Sequence, residues 1–426
     1  MQNKHKTGRS GTVFFKPIGC PDYVSPDRKD RQSFGRIYLG EIVMNRIKSY
    51  EPFLRQIRHE IHENPELALE EVKTSALMER YLTEWGYEIS KGFAKTDITA
   101  TLKAGGGSRS IGIRADMDAL AMEEASGKPW SSKVPGKMHG CGHDGHTTIL
   151  LGLAKYLAET KNFNGTVHLI FQPAEELVNG AEIMVRNGYF DKIKCDVLYG
   201  LHNMPGYETG HMYFHDGPMM ASMDQFLIAV KGKGGHGAMP HLAVDPILAG
   251  AHIVTALQSI VSRNVSAQEA AVVTVGSFNA GEAANIIPEE VVMRVSMRAL
   301  KPEVRLKVQQ RIKEVAEQTA AAFGAKAEVK HVNGTPPTVN GVEATRFAYE
   351  AAKAVFGEEK VHYGVTPLMG SEDFSFMLEA NPNGSYIFVG NGLDSASPHN
   401  PAYDFNDEIL VPGVEMWAAI VEAYLK

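Results

Sequence analysis

The sequence predicts an α/β protein, with a mostly parallel sheet flanked by helices and an inserted ferredoxin-like α+β module. Three observations lead there. Between residues 98 and 202, short β-rich runs alternate with helical runs, the pattern of a parallel layer. Near residue 216 the order becomes strand–helix–strand–strand–helix–strand, that of a ferredoxin-like module. After Pro336-Pro337 the first pattern resumes and continues into the last part of the 426-residue chain. At about 150 residues per domain this length allows two to three domains. The pattern favours two: residues 44–216 with 333–426, and the inserted 217–332.

Each element has its own reason. Phe53, Leu54, Ile57 and Ile61 recur at three- and four-residue spacing, a helix that Pro65 stops. A second helix covers Leu69–Trp85 and ends at Gly86. Ile98–Leu102 and Ile111–Arg114 read as strands, and Gly105, Gly106 and Gly107 between them signal a hairpin turn. No Gly-Lys-Ser/Thr follows, so this is not a phosphate loop. Helix Asp144–Glu159, strand Thr166–Phe171, helix Glu182–Asn187 and strand Asp196–Leu201 follow. In the insert, strands Asp224–Val230, Val272–Phe278, Glu290–Met297 and Ala327–His331 alternate with helices Pro246–Val261 and Val304–Phe323. Helix Val342–Phe356 and strand Ser385–Val389 belong to the resumed α/β region. No repeat of fixed period is present.

Composition narrows the function. Lys and Arg number 43 against 50 Asp and Glu, a net charge of −7, which argues against a nucleic-acid partner. A hydrophobic share of 44% with 22% charged residues supports a core and excludes disorder as the main state. No run of about 18 apolar residues occurs, so neither a transmembrane helix nor a membrane partner is expected. Residues 1–43 are polar and lack the apolar core of a signal peptide. They read as a dispensable, disordered N-terminal extension, or as sequence upstream of a natural start at Met44. The three cysteines, Cys20, Cys141 and Cys195, are too few for a disulfide scaffold. They fit a reducing compartment, and a cytoplasmic protein is expected.

The densest chemistry is His139-Gly-Cys141-Gly-His143-Asp144-Gly-His146, which opens the helix near Asp144. Thiolate and imidazole are standard ligands of zinc-like ions. A plain glycine-rich turn would not need four ligand-type side chains in so short a span. The strand ending at Phe171 runs into Gln172-Pro-Ala-Glu175-Glu176, and the next strand ends in His202. Parallel α/β sheets build sites at the carboxyl ends of their strands. Adjacent carboxylates there repel unless a cation or a proton compensates. Alone, the glutamates could be a solvated helix start and His202 a core histidine; together with the Cys/His loop they favour a metal site. His399, in Ser397-Pro398-His399-Asn400-Pro401, adds a weaker signal.

In this order these features resemble the M20 metallopeptidase family in its amidohydrolase branch, over roughly residues 48–425. The motifs are Arg58-His-Glu-Ile-His62, Arg114-Ala-Asp-Met-Asp118, Met138 to His146, Phe171 to Glu176 and Gly200-Leu-His202. Gly234 to His241, Asn285 to Pro288, Met369 to Phe374 and Pro398 to Pro401 complete them. The resemblance implies a catalytic domain with two divalent ions, Zn or Mn, with Co or Ni possible. Cys141, His143, Glu176, His202 and His399 match the ligand positions, and Glu175 matches the general base. Asp116, Asp118 and Asp144 are candidates to support the ligands from behind. The insert becomes a lid and dimerisation domain, in a homodimer or homotetramer. His236 matches the histidine that stabilises the oxyanion in a neighbouring subunit's site. Asn285 and Arg298 match positions that hold the substrate carboxylate. His146 and His241 read as structural. The implied reaction is hydrolysis of small N-acyl-amino acids. Two alternatives stay open: a dipeptidase or carboxypeptidase of the same family, and a non-catalytic metal-binding protein with the same fold.

Overall fold

A computed structural model describes residues 41–177 and 180–426. The expectation of a disordered extension therefore lies outside the described residues for positions 1–40, whereas residues 41–43 open a helix. The first part of the chain forms α1 (Glu41–Ser49), α2 (Glu51–Glu63), α3 (Val72–Glu84), β1 (Glu88–Ser90), β2 (Ile98–Ala104) and β3 (Ser110–Asp116). It continues with α4 (His143–Thr160), β4 (Gly165–Gln172), α5 (Gly180–Arg186), α6 (Tyr189–Lys192), β5 (Val197–Pro205), β6 (Met212–Phe214) and β7 (Gly217–Met220). The insert holds β8 (Met223–Lys231), β9 (Gly235–His236), α7 (Pro246–Ser259), β10 (Ala271–Ala280), β11 (Ile286–Ile287), β12 (Glu290–Ala299), α8 (Pro302–Ala322) and β13 (Lys326–Thr335). The chain closes with β14 (Thr338–Asn340), α9 (Val342–Phe356), β15 (Val361–Tyr363), α10 (Phe374–Ala380), β16 (Gly384–Gly392) and α11 (Leu410–Tyr424).

The large sheet has the order β1-β2-β4-β3-β5-β16-β6-β15. Its centre, β4-β3-β5-β16, is parallel. Both faces are covered. Ile113, Leu169 and Tyr199 pack with Leu151, Ile420 and other residues of α4 and α11 on one side. Ile170, Leu198 and Phe388 pack with Met184 and Met377 on the other. This two-sided burial explains why these strands are apolar almost throughout. In the insert, the antiparallel order β10-β12-β8-β13 with α7 and α8 is that of a ferredoxin-like module. It has its own core, including Ile228, Ile253, Met293 and Ile312.

Local chemistry explains several boundaries. In α2, Leu54, Ile57, Arg58 and Ile61 form the buried stripe, and the helix ends at Glu63, ahead of Pro65. Asp245 caps α7 by accepting from the amides of Ile247 and Leu248, with Pro246 at the first helical position. The expected hairpin at Gly105–Gly107 is corrected. β4 lies between β2 and β3, antiparallel to β2 and parallel to β3. The glycine turn serves a different contact: the Asn164 side-chain oxygen accepts from the amides of Gly106 and Gly107 at 2.9 and 2.7 Å. A Cβ at Gly107 would sit 2.3 Å from the Asn164 carbonyl oxygen, so the close approach demands glycine. The expected strand end at His202 also shifts. β5 continues to Pro205 because β16 pairs alongside it, with Phe388 opposite His202.

Candidate metal centre

The carboxyl ends of β3, β4, β5 and β16 converge on one cleft, where a parallel sheet offers a crevice. β3 ends at Asp116 and β4 ends just before Pro173-Ala174-Glu175-Glu176. β5 carries His202, and the segment after β16 carries His399. Cys141 and His143 come from the loop that turns into α4. That turn needs Gly142: its φ is +99°, and a Cβ there would meet Asn203 Oδ1 at 2.3 Å and Tyr403 Oη at 2.5 Å. The His399 amide donates to Gly140 O at 2.8 Å, which ties the two loops together.

Among the groupings of donor atoms, two share Cys141: Cys141, His143 and His202, and Cys141, Glu176 and His399; His143 also groups with Glu175 and Glu176 and with Asp116 and His146. Within each triad the donor atoms lie within 4.8 Å of one another. Cys141 Sγ is 3.3 Å from His202 Nε2, and His399 Nε2 is 3.3 Å from Glu176 Oε2. His143 Nε2 is 3.9 Å from Glu176 Oε1 and 4.0 Å from Glu175 Oε2. His143 Nε2 and Glu176 Oε1 are buried and have no hydrogen-bond partner among the described residues. An orphaned nitrogen facing an orphaned carboxylate oxygen is the arrangement a cation resolves. Thiolate, imidazole and carboxylate are also the donor types of a zinc-like ion, so the residues fit divalent metal.

The other ring nitrogens are already committed. His202 Nδ1 donates to Asn203 O at 2.6 Å, which leaves Nε2 toward the cleft. His143 Nδ1 lies 3.2 Å from Asp118 Oδ1. Asp118 also accepts from the amides of Glu175 and Glu176, at 3.0 and 2.9 Å. Asp116 takes Arg114 Nη1 at 2.8 Å and His146 Nδ1 at 2.7 Å. Asp144 takes His62 Nδ1 at 2.8 Å. Buried His146 is further bound to Asn203, and His241 is exposed. His139 is buried and its ring nitrogens have no hydrogen-bond partner among the described residues; burial pushes it down to about 4.

Charge in the cleft is finely set. Burial, then Glu372 and Glu176, push Glu175 well above the usual carboxylate range. Burial and Glu176 push the Cys141 thiol up. Burial and His146 push His202 down. A bound cation reverses this pressure on the thiol, because a coordinating thiol is deprotonated outright. Backbone strain also concentrates here: Ala174 and His399 have φ of +61° and +63°. Each left-handed non-glycine residue costs about 1–2 kcal/mol. Glu71 helps hold the first by accepting from the Ala174 amide at 3.0 Å.

Arg298, half-buried, lines the same cleft of about 400 Å³ as Glu175, Glu176, His202 and His399. Met204, Met220, Met223 and Leu368 form its apolar wall. His236 and Asn285 are not brought to this cleft. They are exposed, on and beside the small ribbon in which β9 pairs with β11.

The sequence reading missed a buried network behind Glu175. Fully buried Arg114 donates to Asp116, Gln172, Glu372 and Asp373. Gln172 also binds Asp373, and the Tyr386 hydroxyl donates to Glu372. The signal was available: an arginine inside the strand Ile111-Gly-Ile-Arg-Ala must find partners, since a buried charge is tolerated only when paired.

Known proteins resemble this chain over most of its length. The Peptidase family M20/M25/M40 matches residues 112–423. Hippurate hydrolase of Campylobacter jejuni is 45% identical over 371 residues, covering 87% of this chain and 96% of that protein. N-acetyl-L-cysteine deacetylase of Bacillus subtilis is 39% identical over 369 residues, covering 86% of each. A crystal structure described as a dinuclear metal-binding peptidase of the M20 family, from Bacillus subtilis, superposes with a TM-score of 0.78. It is 33% identical and covers 89% of this chain and 99% of that one. Matched over most of its length by family and relatives alike, this chain belongs to peptidase family M20/M25/M40.

Proposed function

We propose that this chain hydrolyses the amide bond of small N-acyl-amino acids at a centre of two divalent ions, giving a carboxylate and a free amino acid. The observation that carries the reading is the pair of donor triads sharing Cys141. Hippurate and N-acetyl-L-cysteine, named in the two relatives, are both N-acyl-amino acids. Cys141, His143, Glu176, His202 and His399 would hold the ions, Zn or Mn, with Co or Ni also suited to such donors. Bound there, the ions supply Lewis acidity, polarising the scissile carbonyl and lowering the pKa of water toward about 7.

The chain's own residues do the rest. Glu175, 7% exposed at the cleft, takes the proton of the attacking water and returns it to the leaving amine. Arg298 pairs with the amino-acid carboxylate through its planar fork. The methionine-lined wall receives the acyl group, since methionine adapts to apolar shapes. His236 and Asn285 are exposed on the insert, which suits a lid and dimerisation domain. In a homodimer or homotetramer, His236 would donate to the oxyanion in a neighbour's cleft, a contribution typically worth about 3–4 kcal/mol. Cys141 and Cys195 are free thiols, which supports a reducing, cytoplasmic setting.

Glu175→Gln is the test. Metal content stays at the wild-type level, and hydrolysis of N-benzoyl- and N-acetyl-amino acids falls about 10²–10⁴-fold. Near-normal turnover in that variant would sink the assignment. Faster cleavage of dipeptides than of acyl-amino acids by the wild type would redirect it to a peptidase.

A further inference from the structure

A second cluster of metal-type donors lies at the far edge of the large sheet, apart from the cleft residues. Glu208 and His211 belong to the turn between β5 and β6, and His362 is the middle residue of the edge strand β15. One donor atom from each lies within 4.8 Å of the others. His211 Nδ1 is 2.9 Å from His362 Nε2 and 3.0 Å from Glu208 Oε2. The parts are well fixed. His362 stacks on Tyr213 with ring centroids 4.7 Å apart, and β15 pairs with β6 with His362 opposite Tyr213. The turn is clamped to β16 by the Gly390 amide on His211 O and the Gly392 amide on Tyr207 O.

His211 Nδ1 lies within reach of two partners at once, while the exposed Glu208 carboxylate is also open to solvent. His211 Nδ1 faces two acceptor-type atoms, a carboxylate oxygen and an imidazole nitrogen, and can offer one proton. If it donates to Glu208, it cannot also accept from His362. If it accepts from His362, its lone pair faces a carboxylate. An ion among the three atoms satisfies all of them at once. Two nitrogens bound at about 2.0–2.1 Å to one tetrahedral ion lie about 3.3 Å apart, so the observed spacing needs to open by only tenths of an ångström.

We propose that Glu208, His211 and His362 form a further divalent-cation site that takes a zinc-class ion. Two imidazoles and a carboxylate suit Zn²⁺, Ni²⁺ or Cu²⁺ rather than Mg²⁺ or Ca²⁺. The ion would clip the short edge strand to the β5–β6 turn, so its role is structural and independent of the reaction in the cleft.

The test is a calorimetric titration of chelator-stripped full-length protein with Zn²⁺ alone. The wild type takes up one equivalent more than His362→Phe, which keeps a ring against Tyr213 but offers no ligand. Exposed Glu208→Gln weakens the extra step about tenfold or more. Both variants, reloaded with metal, hydrolyse substrate like the wild type. Equal Zn²⁺ stoichiometry and affinity in wild type and His362→Phe overturns the site, whatever the outcome for Glu175.

Discussion

Asp118 shows how much of the cleft depends on one carboxylate behind it. It fixes the His143 ring and both amides of the Glu175-Glu176 pair. Asp118→Ala therefore releases the His143 ring and the Glu175-Glu176 segment, the ligand and base of the proposed centre, together. Metal affinity should drop about 10–100-fold, as for other groups that orient ligands, read by competition with a chelator dye. Unchanged affinity would mean that packing alone orients His143. The candidate site residues were legible in the sequence, because Cys141 and His143 sit in one short run before a helix and Glu175, Glu176 and His202 lie at or near strand ends. Asp118 was legible only as a neighbour. Glu372 and Asp373 were not, because their partner Arg114 lies far away in the chain and only the fold brings them together.

At the scale of elements, α4 and α11 cross so closely that glycine is required at the contact. A Cβ on Gly413 would meet Ile149 Cδ1 at 2.6 Å and Cγ1 and Cγ2 at 3.0 Å. Helix propensity favours Gly413→Ala by about 0.8–1.0 kcal/mol. Overpacking costs about 1–3 kcal/mol, and in this buried contact it wins. A net loss of up to about 2 kcal/mol is expected in urea unfolding, and Ile149→Val, which removes the nearest atom, should recover part of it. The helices were readable from periodicity, and the ferredoxin-like insert from element order. The false hairpin shows the limit. Strands β2 and β3 look like neighbours along the chain, but β4 pairs with both. Strand order is decided by which partner buries the most surface, and no local signal carries that.

For the whole molecule, pH acts through buried carboxyls. Burial raises Glu415 on α11 from 4.5 to about 7, with Lys48 and Lys360 pulling the other way. The folded chain keeps this proton where the unfolded chain has lost it, so stability falls as pH rises through that window. The cost is absent below about 4.5 and complete above about 7. Glu415→Gln should add about 1–2 kcal/mol at about pH 8 and nothing at about pH 4, read from denaturant midpoints. Assembly gives a second whole-molecule test. If His236 serves a neighbouring cleft, His236→Ala and Glu175→Gln are each inactive, yet mixed and allowed to exchange subunits they regain activity. No regain after proven exchange would confine His236 to its own subunit.

The fold class, the inserted module and the candidate ligand residues were readable in the chain itself, because periodicity and dense local motifs are carried by neighbours in sequence. Tertiary structure alone decided the strand order, the two triads meeting at Cys141 and the Arg114 network. It also separated Arg298, in the cleft, from His236 and Asn285, exposed on the insert. Such arrangements depend on contacts between residues far apart in sequence, and those exist only once the sheet has closed its core.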